Sequence, residues 1–239
     1  MLKRSVTMYS VLAVLLIVST VCFQRISSTS VPVSVTVQSV PQLPTIIIDA
    51  GHGGVDGGSS GADGTVEKDI NLSIALKLRD MLELYGFETV MIREDDRSIH
   101  SEGANTIREK KVSDLHNRLN IINSTDNCIF ISIHQNYFEQ SKYSGTQVFY
   151  SPNNTESEKL AQIMQETIVN LIQNDNTRQI KRADKTLYLL YKTEKPAIMI
   201  ECGFMSNEKE LSLLKSDKYQ KQMALSITNG ILKYMESVE

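Results

Sequence analysis

Residues 45–54 read TIIIDAGHGG, a β-branched run that leads directly into an aspartate, a histidine and three glycines. An unbroken apolar run of this kind is typical of a strand covered on both faces, as in a parallel sheet. The runs CIFISI (128–133) and AIMIE (197–201) have the same character. Between the first two, apolar residues recur at helical spacing over 70–85. This alternation predicts a single α/β domain with a mostly parallel central sheet flanked by helices.

The rest of the chain completes this outline. The segment 93–114 is polar, charged and without period, so we predict a long loop or insertion there. A helix is expected after Thr155, and the C-terminal third after Asn207 is predicted to be helical. Further strands are predicted at FETVMI (87–92), TQVFY (146–150) and LYLLY (187–191).

Composition excludes several classes of protein. The formal net charge of −3 over 239 residues, with no long basic run in the body, argues against nucleic acid as a partner. Trp is absent, which excludes a sugar platform built on Trp stacking. Three cysteines without a CxxC pair favour neither a disulfide framework nor a thiolate zinc site. Cys128 and Cys202 are therefore predicted to be buried free thiols.

The N-terminus predicts export. Lys3 and Arg4 precede an uncharged stretch over 5–23, which is near the length that spans a bilayer. Residues 1–26 are predicted to be a signal anchor, with a cleaved signal peptide as the alternative. The Ser-, Val- and Pro-rich segment 27–44 is expected to be an extended linker. The globular domain is then predicted to span 45–239.

Three of the buried strands lead into ionisable residues that a core strand does not favour. The strand 45–49 leads to His52, the strand 128–133 to His134, and the strand 197–201 ends in Glu201. Because sites in open α/β sheets form at the carboxyl ends of the strands, these side chains are expected on one rim. Glu67, after the glycine-rich loop, is a fourth candidate.

Two histidines and two glutamates meet the minimum for a hydrolytic zinc site. Three protein ligands and one open position characterise catalytic rather than structural zinc. A carboxylate that is not a ligand can then move the proton from water to the leaving amine. Each residue also has a structural explanation, since a lone His can belong to the core and Glu67 suits the dipole of a helix start. The convergence of four such residues is what favours a site.

Four motifs in order resemble one family. The segment IIIDAGHGGVDGG (46–58), then Glu67, SIHQN (132–136) and IECGFMSN (200–207) are similar to the zinc-dependent N-acetylmuramoyl-L-alanine amidases, which are bacterial cell-wall hydrolases. The resemblance covers about 45–236. It implies that one Zn²⁺ is bound per chain and that Glu201 is the catalytic acid/base. The implied zinc ligands are His52, Glu67 and His134.

The resemblance extends to further polar residues, with less specific motifs. They could contact substrate or orient the zinc ligands, but a purely structural role is the favoured alternative for each, because polar residues near glycine loops often just satisfy backbone groups. These residues are Asp49, Asp56, Arg93, Arg118 and Asn136.

The 93–114 segment and the N-terminal anchor most resemble the spore-cortex subgroup, often called CwlD-like. That implies removal of the peptide from muramic acid on the way to muramic-δ-lactam, in the space between forespore and mother cell. Expected partners are peptidoglycan glycan strands, the membrane through the N-terminal segment, and an accessory protein. Two alternatives stay open: another zinc-dependent peptidoglycan peptidase, and a non-catalytic cell-wall-binding module.

Overall fold

The computed structural model describes residues 2–27 and 43–238. The chain divides into two compact units, Met1–Gln42 and Leu43–Glu239. The first unit contains helix α1 (Leu2–Ser27). Among the described residues, no helix is both long enough and apolar enough to cross a membrane. The predicted linker 27–44 falls almost wholly outside the described residues.

The second unit is built on a six-stranded sheet with the order β2-β1-β3-β6-β4-β5. All strand pairs are parallel except β4 with β6. The mostly parallel α/β domain predicted from the sequence is therefore confirmed. The strands are β1 (Thr45–Ala50), β2 (Thr89–Met91), β3 (Cys128–Asn136), β4 (Gln147–Tyr150), β5 (Lys181–Arg182) and β6 (Ala197–Phe204).

Helices cover both faces of the sheet because the side chains of its strands alternate between two cores. Ile46, Ile48 and Ile131 pack in one core with helices α2, α4 and α7. Ile47 and Phe130 point into the other core, which includes residues of α3 and α5. The helices are α2 (Glu67–Leu84), α3 (Ile107–Ser124), α4 (Glu156–Ile172), α5 (Tyr188–Lys192), α6 (Glu208–Leu214) and α7 (Asp217–Val238).

The predicted strand at 187–191 is wrong, since this segment forms the short helix α5. Leu189 and Leu190 are buried in the second core, as the apolar run in this segment indicates. A five-residue apolar run does not distinguish a strand from a buried helical turn. The sheet edge is instead occupied by the two-residue strand β5.

The predicted loop 93–114 is wrong in its second half, where α3 begins at Ile107. Thr106 accepts a hydrogen bond from the Glu109 amide, and the Glu109 side chain accepts one from the Thr106 amide. This capping box is readable in the sequence as a Thr followed three residues later by Glu. The predicted strand 87–92 is shortened to Thr89–Met91.

Two of the predicted strands are longer than expected. β3 continues to Asn136, so His134 lies within the strand rather than beyond it, and β6 continues past Glu201 to Phe204. Both predicted buried thiols are confirmed: Cys128 and Cys202 are buried and free.

Candidate metal centre and active site

Three potential ligand atoms converge at the carboxyl ends of β1 and β3. Oε1 of Glu67 lies 3.2 Å from Nε2 of His52 and 3.0 Å from Nδ1 of His134. Among the described residues these three form the one group of His, Cys, Asp and Glu side chains close enough to hold a metal, with ligand atoms within 4.8 Å of one another.

The donor set and its spacing fit zinc. Two imidazole nitrogens and one carboxylate oxygen match the ligand set of catalytic zinc sites. Bonds of about 2.0–2.1 Å in a tetrahedral site separate neighbouring ligand atoms by about 3.3 Å. The two distances from Glu67 Oε1 are close to that spacing. These residues can therefore hold a metal ion without rearrangement of the backbone.

His52 is placed by an unusual backbone conformation. Its φ is 64°, in the left-handed region that a non-glycine residue rarely adopts. Such a conformation costs of order 1–3 kcal/mol and persists only where the surroundings impose it. Here the buried Arg118 and Arg93 hold the turn by donating to the carbonyls of His52 and Gly51. In this conformation the imidazole of His52 points across the end of β1 toward Glu67.

Two glycines leave the room that the ligand side chains occupy. A Cβ atom on Gly51 would lie 2.2 Å from Nε2 of His134. One on Gly58, whose φ is +69°, would lie 2.6 Å from Oε2 of Glu67 and 2.7 Å from Cδ2 of His52. Contacts this short do not occur between real atoms, so the glycine-rich loop is required by packing at the site as well as by its turns.

Glu67 is buried at the start of α2 and is oriented through both oxygens. Its Oε2 accepts a hydrogen bond from the Ser59 amide, at 2.8 Å, and its Oε1 accepts one from the Gln135 amide, at 3.1 Å. Asn71, one helical turn further on, donates to Oε1 at 3.3 Å. Burial alone would raise the pKa of Glu67, but hydrogen bonds with His134 and His52 outweigh it and hold the pKa well below its usual range.

His52 is oriented by Asp56, whose Oδ2 lies 3.0 Å from Nδ1 of the imidazole. This contact fixes which ring nitrogen faces the ligand cluster, the usual role of a carboxylate behind a metal-binding His. Lys111 from α3 lies 2.8 Å from the other oxygen of Asp56. Burial opposes protonation of His52, but the hydrogen bonds with Asp56 and Glu67 prevail and raise its pKa to about 9.

Glu201 stands directly opposite His134 in the register of β3 and β6. Glu201 as a whole is half-buried, but the carboxylate oxygen Oε2 is shielded from solvent and has no hydrogen-bond partner. Burial raises the pKa of Glu201 to about 7, and the negative charge of Glu67 adds to the shift. Among the described residues Glu201 is not a member of the group that could hold a metal. It is a buried carboxyl group facing the cavity beside that group.

Arg93 and Arg118 do not face the cavity. Arg93 donates to the carbonyls of Ala50 and Gly51 at 2.8 and 3.0 Å, and Arg118 donates to the carbonyl of His52 at 2.7 Å. Both guanidinium groups are buried, with 1–2% of each residue exposed. Their hydrogen bonds hold the turn that carries His52, and neither arginine is part of the cavity wall.

Asp49 is likewise buried beneath the site. Its Oδ1 pairs with Arg118, and its Oδ2 accepts a hydrogen bond from Ser132 Oγ at 2.6 Å. Burial would raise the pKa of Asp49, but the charge of Arg118 and these hydrogen bonds hold it below its usual range. Asn136, by contrast, lines the open cavity, as does Asp56.

The site opens into a cavity of about 450 Å³. Sequence reasoning missed Lys111, Gln135 and Asn71 among the residues that shape it. Asn71 could have been found by its i+4 spacing from Glu67 on the same helix face. Lys111 lies in the segment 93–114 that is predicted to be a loop, and no motif around it in the sequence indicates a role at the site. The cavity is lined by His52, Asp56, Gly58, Ser59, Glu67, Lys111, His134, Gln135, Asn136, Tyr137 and Glu201.

The family follows from comparison with known proteins. The pattern of the Amidase_3 family, described as N-acetylmuramoyl-L-alanine amidase, matches residues 46–233. This chain belongs to that family. Its fold and all four motif residues of the site lie inside the matched range, and the predicted hydrolase class is confirmed.

Individual amidases agree over most of the chain. The germination-specific N-acetylmuramoyl-L-alanine amidase of Bacillus subtilis (strain 168) is 40% identical over 189 residues, covering 79% of this chain and 78% of that protein. The CwlD amidase from Clostridioides difficile, solved in complex with the GerS lipoprotein, is 45% identical with a TM-score of 0.79, covering 82% of this chain and 100% of that one.

The amidase AmiC2 of Nostoc punctiforme is 30% identical with a TM-score of 0.70, and the match covers 81% of this chain and 97% of that one. Amidase function in peptidoglycan hydrolysis is thus confirmed. Neither alternative, a different zinc peptidase or a non-catalytic wall-binding module, receives support from these relatives.

Proposed function

We propose that this amidase holds one Zn²⁺ through His52, Glu67 and His134, and that Glu201 is its catalytic acid/base. The observation that carries the proposal is the convergence of three ligand atoms beside a buried carboxyl group with no hydrogen-bond partner. The bond to be cleaved is the amide between N-acetylmuramic acid and the L-alanine of the stem peptide. Bound zinc supplies a Lewis acid for the amide carbonyl and for water.

The roles of the protein groups follow from their positions. His52, Glu67 and His134 hold the metal, and Asp56 keeps the imidazole of His52 in the orientation that presents Nε2. Glu201 takes a proton from the attacking water and then delivers it to the departing L-alanine nitrogen. A carboxyl group with a pKa of about 7 can both accept and donate a proton near neutral pH. Its position on a central strand keeps it fixed while it does so.

We further propose that the substrate is spore-cortex peptidoglycan, in which removal of the peptide leads to muramic-δ-lactam. Support comes from the two relatives with 40% and 45% identity, one named for germination and the other a CwlD amidase. The proposed place of action is the space between the forespore and mother-cell membranes. The basic residues ahead of the uncharged N-terminal stretch support export or anchoring of the chain.

An accessory protein is part of the same proposal. The CwlD amidase from Clostridioides difficile was solved in complex with the GerS lipoprotein. A lipoprotein partner of this kind is proposed here because the fold match to that amidase is extensive. Such a partner would act on the same side of the membrane as the cortex.

The test combines metal analysis with hydrolysis on one sample of the purified protein. We expect about one zinc per chain and release of peptides with a free L-alanine amine from muropeptides. A chelator should abolish the release, and added Zn²⁺ should restore it. Hydrolysis that persists without any bound metal would contradict the zinc assignment. A product with an intact muramoyl–alanine bond would contradict the bond assignment.

A further inference from the structure

An aromatic ridge lies on the surface beside the metal cavity. Its members are Tyr137, Phe138 and Tyr143, which are 50%, 48% and 37% exposed. The rings of Phe138 and Tyr143 meet edge to face with centroids 5.0 Å apart. A cluster of large aromatic side chains left half in solvent marks a binding surface more often than an incidental one.

The ridge is rigidly supported from below. The ring of Tyr143 stacks on that of Phe204, at the end of β6, with centroids 6.3 Å apart. On Phe204 lies the guanidinium of Arg178, with its Cζ 4.7 Å from the ring centroid. Stacking on the buried ring of Phe204, which Arg178 contacts in turn, therefore restricts the orientation of Tyr143. A binding group that is already fixed loses little conformational entropy when a ligand binds.

The backbone of the ridge is also tied to the end of β6. Ser206 Oγ accepts a hydrogen bond from the Phe138 amide at 3.2 Å. The side-chain amide of Asn207 donates to the carbonyls of Ser141 and Tyr143 at 2.9 and 3.2 Å. Ser206 and Asn207 belong to the same IECGFMSN segment that carries Glu201. The ridge and the proposed acid/base are therefore held by one piece of backbone.

We propose that this ridge binds the glycan strand next to the muramic acid whose peptide is removed; this inference rests on the proposed function. Tyr137 lines the metal cavity, so the ridge continues the cavity wall onto the surface. The amide to be cleaved lies only a few bonds from the muramic acid ring, so neighbouring sugars must lie just outside the cavity. β-Linked N-acetyl sugars carry axial C–H bonds on both ring faces and can lie flat on an aromatic ring.

The chemistry of the ridge fits an uncharged sugar better than the stem peptide. Its three rings carry no formal charge, and two of them bring hydroxyl groups that can hydrogen-bond sugar hydroxyls. The ammonium of Lys142, 5.4 Å from the centroid of the Tyr143 ring, adds a further hydrogen-bond donor beside them. The absence of Trp excluded only a platform made of that residue. Tyr and Phe supply the flat apolar surface here instead.

The test measures binding of the full-length protein to peptide-free strands of alternating N-acetylglucosamine and N-acetylmuramic acid. Phe138→Ala and Tyr143→Ala are expected to weaken binding by about three- to tenfold each. Tyr143→Phe keeps the ring and loses only the hydroxyl, so it should weaken binding less than Tyr143→Ala does. Tyr85→Ala is the matched control: Tyr85 is an equally exposed aromatic residue beyond the C-terminal end of α2, where the chain returns to the start of β2.

Unchanged binding of both alanine variants, or no binding by the wild type, would overturn the ridge proposal. Hydrolysis of a single N-acetylmuramoyl-L-alanyl peptide, which has no neighbouring sugars, tests the proposed function separately. We compare kcat/KM for glycan strands that carry stem peptides with kcat/KM for this single unit. The ratio of the first to the second should fall by a similar three- to tenfold in the alanine variants. Failure of the wild type to cleave the single unit counts against the amidase roles alone.

Discussion

Glu201 is paired with His134 across neighbouring parallel strands. Side chains at paired positions point to the same face of a sheet, so both face the cavity from rigid backbone. The separation of the proposed acid/base from the proposed ligand is thus set by the strand spacing rather than by a loop. Groups carried on strands hold their geometry better than groups carried on loops.

Glu201→Gln separates catalysis from metal binding. Glutamine keeps the shape of the side chain but cannot exchange a proton, so kcat should fall by about 10²–10⁴-fold, the usual contribution of general acid/base catalysis. Zinc content should stay near one per chain, because Glu201 lies outside the ligand cluster. The matched variant His52→Ala should lose both zinc and turnover. Near-normal hydrolysis by Glu201→Gln would remove the role proposed for it.

The parts of the fold that the sequence predicted are those with strong local patterns. The runs 45–49, 128–133 and 197–201 became the three central strands, since a β-branched run without polar positions suits a sheet covered on both faces. The ionisable residues that follow or end them could be assigned to one rim by topology alone. The ligand candidates therefore needed no knowledge of distances.

The parts that failed depend on contacts distant in sequence. The run 187–191 packs against α3 and β6, and that packing selected a helical turn over a strand. The sequence does not decide whether Arg93 and Arg118 contact substrate or support the loop that carries His52. Only their burial beneath the His52 loop decides for support. The contact of Lys111 with Asp56 links residues far apart in sequence, and no local pattern predicts it.

Gly51→Ala should destroy the metal site while leaving the fold intact. The added Cβ would lie 2.2 Å from Nε2 of His134, so the imidazole must move away from Glu67. Loss of a ligand's position should weaken zinc binding by more than the roughly 10–100-fold that loss of an outer contact costs. A competition titration with a zinc chelator measures the affinity, and circular dichroism checks the fold.

Gly203→Ala provides the matched control for that substitution. Gly203 lies in β6, close to Glu201. The nearest atoms to a Cβ added there would be 3.4 Å away, which is an ordinary contact. Its zinc affinity should therefore stay close to that of the wild type. Equal affinities of Gly51→Ala and Gly203→Ala would show that His134 is not held where the structure places it.

Asp56→Ala should weaken zinc binding by roughly 10–100-fold, because the orientation of His52 would no longer be fixed. Asp56→Asn, which can still accept a hydrogen bond from Nδ1, should fall between this variant and the wild type. Lys111→Met should have a smaller effect than Asp56→Ala, since Lys111 is half-exposed and such ion pairs contribute little. Chelator competition at fixed pH gives all three affinities, and an effect of Lys111→Met larger than that of Asp56→Ala would contradict this order.

Because of the buried pair of Asp49 and Arg118, the free energy of unfolding should depend on pH in the acidic range. The pKa of Asp49 is held below the value of 3.8 that it has when unfolded, so the unfolded chain binds its proton first as pH falls. The stabilisation is therefore complete above that value and is lost as pH falls through it toward the folded pKa. Asp49→Asn leaves the buried Arg118 with Asp114 as its remaining carboxylate partner and should lower the free energy of unfolding at pH 7 by about 1–3 kcal/mol.

Urea unfolding of the wild type and Asp49→Asn from pH 7 to pH 3 measures this dependence. The difference between their free energies of unfolding should narrow as pH falls, because the unfolded wild-type chain takes up a proton on Asp49 that the folded chain does not yet bind. Asp63→Asn is the control: Asp63 pairs with Lys215 at the exposed surface, where an ion pair stabilises the fold little. A difference between wild type and Asp49→Asn that stays constant across this range would mean that the contribution of Asp49 comes from packing and not from its charge.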